Sequence, residues 1–209
     1  MRLPFLALLA AGLSAQVRIN EIQVRADREN EAPDKNHQWV ELWNPTEEPV
    51  DLAGWKLTSR TGLAGESVIE LPPLVLPPDH YLVIHIASGN SENTFTDGAA
   101  SHFTQDDTSR DFWNSDSDAI ALYSPDTIID YFAWSSRAKA LSEDEAAKDA
   151  AAARIWTRGA SLNLDAIAFS PEQLVRFALP GQSLGRGATG ADTNSPFDFD
   201  ANGGGAGLA

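Results

Sequence analysis

Gly181-Gln182-Ser183-Leu184-Gly185 has the G-x-S-x-G spacing with which serine hydrolases raise a nucleophile on a tight turn. That chemistry asks for a strand before the serine, a helix after it, and a later histidine to take its proton. Pro180 precedes the motif, glycine-rich sequence follows, and the last of the four histidines is His102. Ser183 is therefore read as a turn and strand residue. His37, His80, His85 and His102 are too widely spaced for an HExxH or H-x-H pair, and cysteine is absent, so thiolate sites and disulfides are excluded. His85 is expected in or beside the core with a hydrogen-bonded ring. Asp198-Phe199-Asp200-Ala201-Asn202-Gly203 opens like a calcium loop, but Ala209 stands where the bidentate glutamate belongs. The segment reads instead as a flexible acidic tail. Asn114-Ser115-Asp116-Ser117-Asp118 repeats the alternation without the glycine, which leaves weak calcium binding by loop 106–118 open. With 30 acidic residues, paired carboxylates alone do not identify a catalytic dyad. No catalytic residue, cofactor or metal site is assigned.

Trp39-Val40-Glu41-Leu42-Trp43 carries chemistry of another kind. Side chains alternate along a strand, so Val40 and Leu42 share one wholly apolar face, the expected core face. The two indoles then lie on the other face with Glu41 between them. Exposed tryptophans serve as contact surfaces for protein partners or for sugar rings. Trp39 and Trp43 are thus the candidate partner-binding residues. The competing expectation is that the charged loop 27–36, or a helix with Trp156 at its end, covers them.

Such a strip needs a sheet to hold it. Residues 17–24 are β-rich. Asn44-Pro45 ends the Trp39 strand, because proline donates no hydrogen bond and forces its predecessor out of helix. Asp51-Leu52-Ala53-Gly54-Trp55 reads as a turn into a strand, with Gly54 free to take a positive φ. Residues 67–71 form a short strand. Pro72-Pro73 and Pro77-Pro78 bar a central strand between them. Residues 81–87 are the strongest strand, 88–118 are polar and acidic, and 119–124 with 127–134 form a hairpin around Pro125-Asp126. The count fits an all-β sandwich. One segment departs from it. Ser142-Glu143-Asp144-Glu145 is a capping box followed by alanines, which predicts a helix over 142–156 ending at Gly159. A further strand is expected near 174–177, and residues 201–209 are too rich in glycine to order themselves.

Residues 1–15, MRLPFLALLAAGLSA, read as a signal peptide: one arginine, an apolar run too short to span a bilayer, and a small-residue exit. Gln16 is the expected mature N-terminus, and no later segment would anchor the chain in a membrane. The location is therefore extracellular or periplasmic, and an exported chain without cysteine points to a bacterial source. At 209 residues, 43% hydrophobic and 22% charged, the chain is a globular protein of one domain. Its net charge is −15, or 14 − 30 = −16 once Arg2 leaves with the leader. Such a field repels nucleic acid and anionic membranes.

Three blocks together resemble a lamin tail domain. They are Arg18-Ile19-Asn20-Glu21-Ile22, Gln38-Trp39-Val40-Glu41-Leu42-Trp43-Asn44-Pro45-Thr46, and Val50-Asp51-Leu52-Ala53-Gly54-Trp55-Lys56-Leu57. The strand after Pro77-Pro78 and the hairpin of 117–134 fit the same pattern. Gly181–Arg186 with Asp192-Thr193-Asn194 is similar to the segment that ends many bacterial members. The helix is similar to an insertion in secreted bacterial relatives, so partner surfaces of nuclear lamins are not carried over.

The resemblance implies an Ig-like β-sandwich over 16–135, with the helix and a closing segment of the same domain over 136–200 and a disordered tail over 201–209. The expected role is a non-catalytic extracellular interaction or adhesion module that binds a protein or surface component. The alternative is a secreted carbohydrate-binding module with weakly calcium-tuned acidic loops.

Overall fold

The computed structural model describes residues 16–24, 38–60, 67–87, 89–104, 112–114, 117–135, 145–164, 169–170, 173–174, 183–187, 190 and 192–201. The expected leader, the loop 27–36, Ser142, Asp116 and residues 202–209 lie outside them. In chain order the strands are β1 (Arg18–Gln23), β2 (Trp39–Trp43), β3 (Val50–Asp51), β4 (Lys56–Ser59), β5 (Ser67–Glu70), β6 (Val75–Leu76), β7 (Tyr81–His85), β8 (Glu92–Thr96) and β9 (Ala99–Phe103). After them come β10 (Ser117–Tyr123), β11 (Ile128–Ser135), helix α1 (Glu145–Ala153), β12 (Leu162–Asn163), β13 (Phe169–Ser170), β14 (Gln173–Leu174), β15 (Leu184–Arg186) and β16 (Phe199–Ala201).

Two sheets face each other. The larger has the order β16-β15-β1-β2-β7-β9-β8, the smaller β12-β11-β10-β4-β5. All neighbours are antiparallel except β7 with β9 and β11 with β12. Alternation builds the core between the sheets. The larger sheet contributes Ile19, Ile22, Val40, Leu42, Leu82 and Ile84, and the smaller Leu57, Ile120, Leu122, Phe132 and Trp134, all fully buried. The expected inward face of the Trp39 strand, Val40 and Leu42, is thus the observed one. The proline pairs confine β6 to a two-stranded ribbon with β3. Gly54 takes φ +75° and turns the chain so that Trp55 enters the core. Asn44 does more than precede a proline: its buried amide donates to the Leu76 carbonyl at 3.0 Å, while its oxygen accepts from Thr46.

Several expectations need correction. Residues 88–118, for which no strand is expected, hold β8 and β9, and Trp113 is buried against Trp134. Asp118 is fully buried and accepts bonds from the amides of Asn114, Arg60 and Ala119, so it is a structural acceptor rather than a surface ligand. Residues 198–201 are not a flexible tail. Asp198 accepts from Thr193, Phe199 is buried, and Ala201 pairs with Leu184. The helix ends at Ala153, not near Gly159. Arg154 takes φ +61°, and the Arg154 and Ile155 amides return to the carbonyls of Ala151 and Ala150, a helix stop usually made by glycine. Near 174–177, the described residues hold β14, which pairs with β13.

The two sheets are clasped by Arg186. Its guanidinium is 1% exposed. It donates to both oxygens of Asp130 on β11, at 3.2 and 2.9 Å, and its Nε donates to the Ile19 carbonyl at 2.9 Å. Asp192 and Asp198 lie 3.3 and 3.4 Å from Nη1. An arginine at such a depth needs partners for its donors, and here a carboxylate from each flank supplies them.

Candidate functional site

The outer face of the larger sheet carries Trp39 and Trp43. Register sorts this face into three rows. Gln23, Trp39, His85 and Phe103 lie side by side across β1, β2, β7 and β9. The next row is Gly185, Glu21, Glu41, Val83 and Ser101. The third is Arg18, Trp43, Tyr81 and Ala99. Two aromatic rows therefore flank an acidic one.

A β-bulge makes the acidic row. Ile19 and Ile22 are three residues apart, and strict alternation would send them to opposite faces. Both are buried in the core because Asn20 and Glu21 together oppose Glu41, the register shifting between Ile19 and Glu21. The extra residue aims Asn20 outward, and its amide donates to Glu41 Oε1 at 2.7 Å. On the core side, the bulged backbone is satisfied by the clasp. Ile19 N–H donates to Asp130 at 2.8 Å, and the Ile19 carbonyl accepts from Arg186. The bulge and the clasp thus hold one another in place.

Glu41 is 1% exposed. Burial pushes its carboxyl up to about 7, with the Asn20 amide working against this and the Glu21 charge adding to it. Burial also raises Glu21, which the Ser183 hydroxyl opposes by donating to its Oε1. Tyr81 is raised by burial and by the charges of Glu41 and Asp79.

Trp39 and Trp43 lie on the outer face with Glu41 between them, as their spacing predicts. Both are half-buried. Trp43 stacks on Tyr81 with ring centroids 6.1 Å apart, and its indole N–H donates to Asp79 at 3.2 Å. Gly190 presses against the same ring: a Cβ there would stand 2.3 Å from Cζ3, so only glycine fits. Helix α1 does not cover the indoles. It packs on the outer face of the smaller sheet, where Ala119, Ala121 and Ala133 are small enough to admit it. Just past its end, Trp156 packs edge-on against Tyr131 and Phe132.

The His85 ring, beside the core, has no hydrogen-bond partner among the described residues and stacks on Phe103 on the outer face, centroids 4.4 Å apart; burial lowers its pKa. Ser183 donates to Glu21, and among the described residues no histidine bonds to it. Among the described residues no three metal-binding side chains cluster, and no helix is long and apolar enough to cross a membrane. Asn20, Gln23, Tyr81 and Arg186 were not singled out in the sequence. The I-N-E-I spacing, which defeats simple alternation, was the signal for the first.

No curated protein matches the chain. The family pattern of the lamin tail domain matches residues 11–136, which takes in the bulge, the Trp39 strand and the hairpin and stops short of the clasp arginine. With more than half its length matched and two packed sheets of the Ig-like kind, the chain belongs to the lamin tail domain family.

Proposed function

We propose that the chain is a secreted, non-catalytic bacterial interaction module that binds a protein or surface component through the outer face of its larger sheet. The observation that carries this reading is the pairing of two aromatic rows with the acidic row between them, whereas the opposite outer face is occupied by helix α1. Trp39 and Trp43 are the contact residues. Aromatic side chains bring much apolar area at little entropic cost, which suits a surface that must hold a partner. The signal-like residues 1–15 support export, with Gln16 as the first mature residue.

The carbohydrate alternative needs free indole faces. Trp43 lies between Tyr81 and Gly190, which favours a protein partner over a sugar ring.

Immobilised chain 16–209 is expected to retain a component of the native extracellular material, and Trp39→Ala is expected to lose it with an unchanged thermal melt. Equal retention by the variant would sink the assignment of this face. A tryptophan fluorescence change on adding glycans but not proteins would favour the carbohydrate reading. Export is checked by N-terminal sequencing of native protein, and intact Met1 in the cytosol would refute it.

A further inference from the structure

Taking the outer face as the binding surface, we propose that Gln23, Glu21 and Glu41 form a receptor for a cationic side chain, arginine or lysine, carried on an extended segment of the protein partner. The first observation is an acceptor without a donor. Gln23 is 8% exposed, and its Oε1 is buried with no hydrogen-bond partner among the described residues. Buried polar atoms are nearly always satisfied, so one that is not marks a place where a donor belongs. Gln23 follows Glu21 by two residues on β1 and therefore stands on the same face, directly across from Trp39.

The second observation is the lack of a counter-ion among the described residues. Glu21 and Glu41 face each other across β1 and β2, and their side-chain partners are the neutral Ser183 and Asn20. Arg18, in the neighbouring row, is already engaged with the Gly190 carbonyl at 2.7 Å and with Asp192 at 3.7 Å. Burial of Glu41 without a cation is also what holds its carboxyl near neutrality. A guanidinium or ammonium supplies what is missing: donors for Gln23 and Glu21, and positive charge for the row. The indole of Trp39, beside Gln23, offers a face on which a cation rests. Glu21, half-buried, is the most accessible of the three groups. The net charge of −15 draws a basic partner from a distance.

The test measures binding of the full chain to a peptide of alternating arginine and glycine, by calorimetry at low ionic strength. The control peptide has citrulline, a neutral isostere, in place of each arginine. The arginine peptide is expected to bind about tenfold or more tightly than its citrulline counterpart, because charge-assisted bonds to carboxylates are lost in the latter. Glu21→Gln and Gln23→Leu should each weaken the arginine peptide by about tenfold. Removing two exposed charges by Glu47→Gln with Glu48→Gln should change it by less than about twofold. Gln23→Leu should melt no lower than the wild type, since it removes an unsatisfied atom, so its loss of binding cannot be put down to unfolding. Equal binding of the two peptides overturns the receptor. So does an equal loss from the Glu47/Glu48 variant, which would reduce the effect to the general field of an acidic chain. If the chain retains its native component through Trp39 yet ignores the arginine peptide, the receptor fails while the binding face stands. If Trp39→Ala retains that component too, it is the face itself that fails.

Discussion

Asp130 and Glu41 lie on the two sides of one strand. Each is almost wholly buried, and each meets the bulge in β1, Asp130 at the Ile19 amide and Glu41 at the Asn20 side chain. Asp130 looks into the sandwich and meets a guanidinium at two oxygens. Glu41 looks out and meets a carboxamide. Burial is the same in kind, but the company differs. A buried carboxylate with a fixed cation is a structural tie, whose loss on one side strands the charge on the other. A buried carboxylate with a carboxamide and a second carboxylate for company stays poised between two protonation states.

The sharpest way to break this comparison is to take away the cation. Arg186→Met is expected to cost ~3–5 kcal/mol, because it leaves the buried Asp130 carboxyl without its cation, and burial then drives that carboxyl toward its protonated form. Urea unfolding measures it, and Asp130→Leu added to Arg186→Met should recover part of the loss. A cost under about 1 kcal/mol would mean that the clasp is solvated.

Next in size is the pH dependence of Glu41. Its carboxyl titrates near 4.5 in the unfolded chain and at about 7 in the folded one. Between those values the folded state binds the extra proton, so stability falls as pH rises through that window. Glu41 thus contributes stability that is complete below pH 4.5 and lost by about 7, amounting to roughly 3 kcal/mol. Glu41→Gln lacks that titration, so the gap between variant and wild type should move by this amount across the window. Urea titrations at several pH values check it, and a constant gap would place Glu41 among ordinary ionised carboxylates. Asn20→Ala comes third. It deprives Glu41 of its donor and should cost ~1–2 kcal/mol while shifting the Glu41 titration upward. The smallest effect sets the baseline: Glu47→Gln, at an exposed side chain, should stay within about 0.5 kcal/mol of wild type.

How much of this was legible in the sequence follows from how strictly each segment alternates. Val40 and Leu42 against Trp39 and Trp43 obey period two, so both the core face and the candidate face could be read from five residues. The hairpin of β10 and β11 declared itself through its apolar run and Pro125-Asp126. The acidic row did not, because the bulge breaks the period at Asn20, and counting through it puts Ile19 or Ile22 on the wrong face. β8 and β9 were hidden by composition. Of the five residues Ala99 to Phe103 only Ala100 is fully buried, and β8 is exposed almost throughout. Arg186 was hidden by its type, since a charged residue between glycines reads as surface, and only the Asp130, Asp192 and Asp198 carboxylates around it reverse that reading.

The distance along the chain between the partners of β1 has a consequence for the order of assembly. β2 reaches β1 early, with Asn20 and Glu41 only 21 positions apart, whereas Arg186 meets Ile19 across 167. At a synthesis rate of ~5–20 residues per second, the second partner is made on the order of ten seconds or more after the first. Throughout that interval one side of β1 presents unpaired amides and carbonyls, the kind of edge on which strands of other chains pair wrongly. Contacts so far apart in sequence also close slowly once both ends exist. The last strands are thus the seal on the first, and a chain cut before Leu184 would carry its open edge for as long as it lasts.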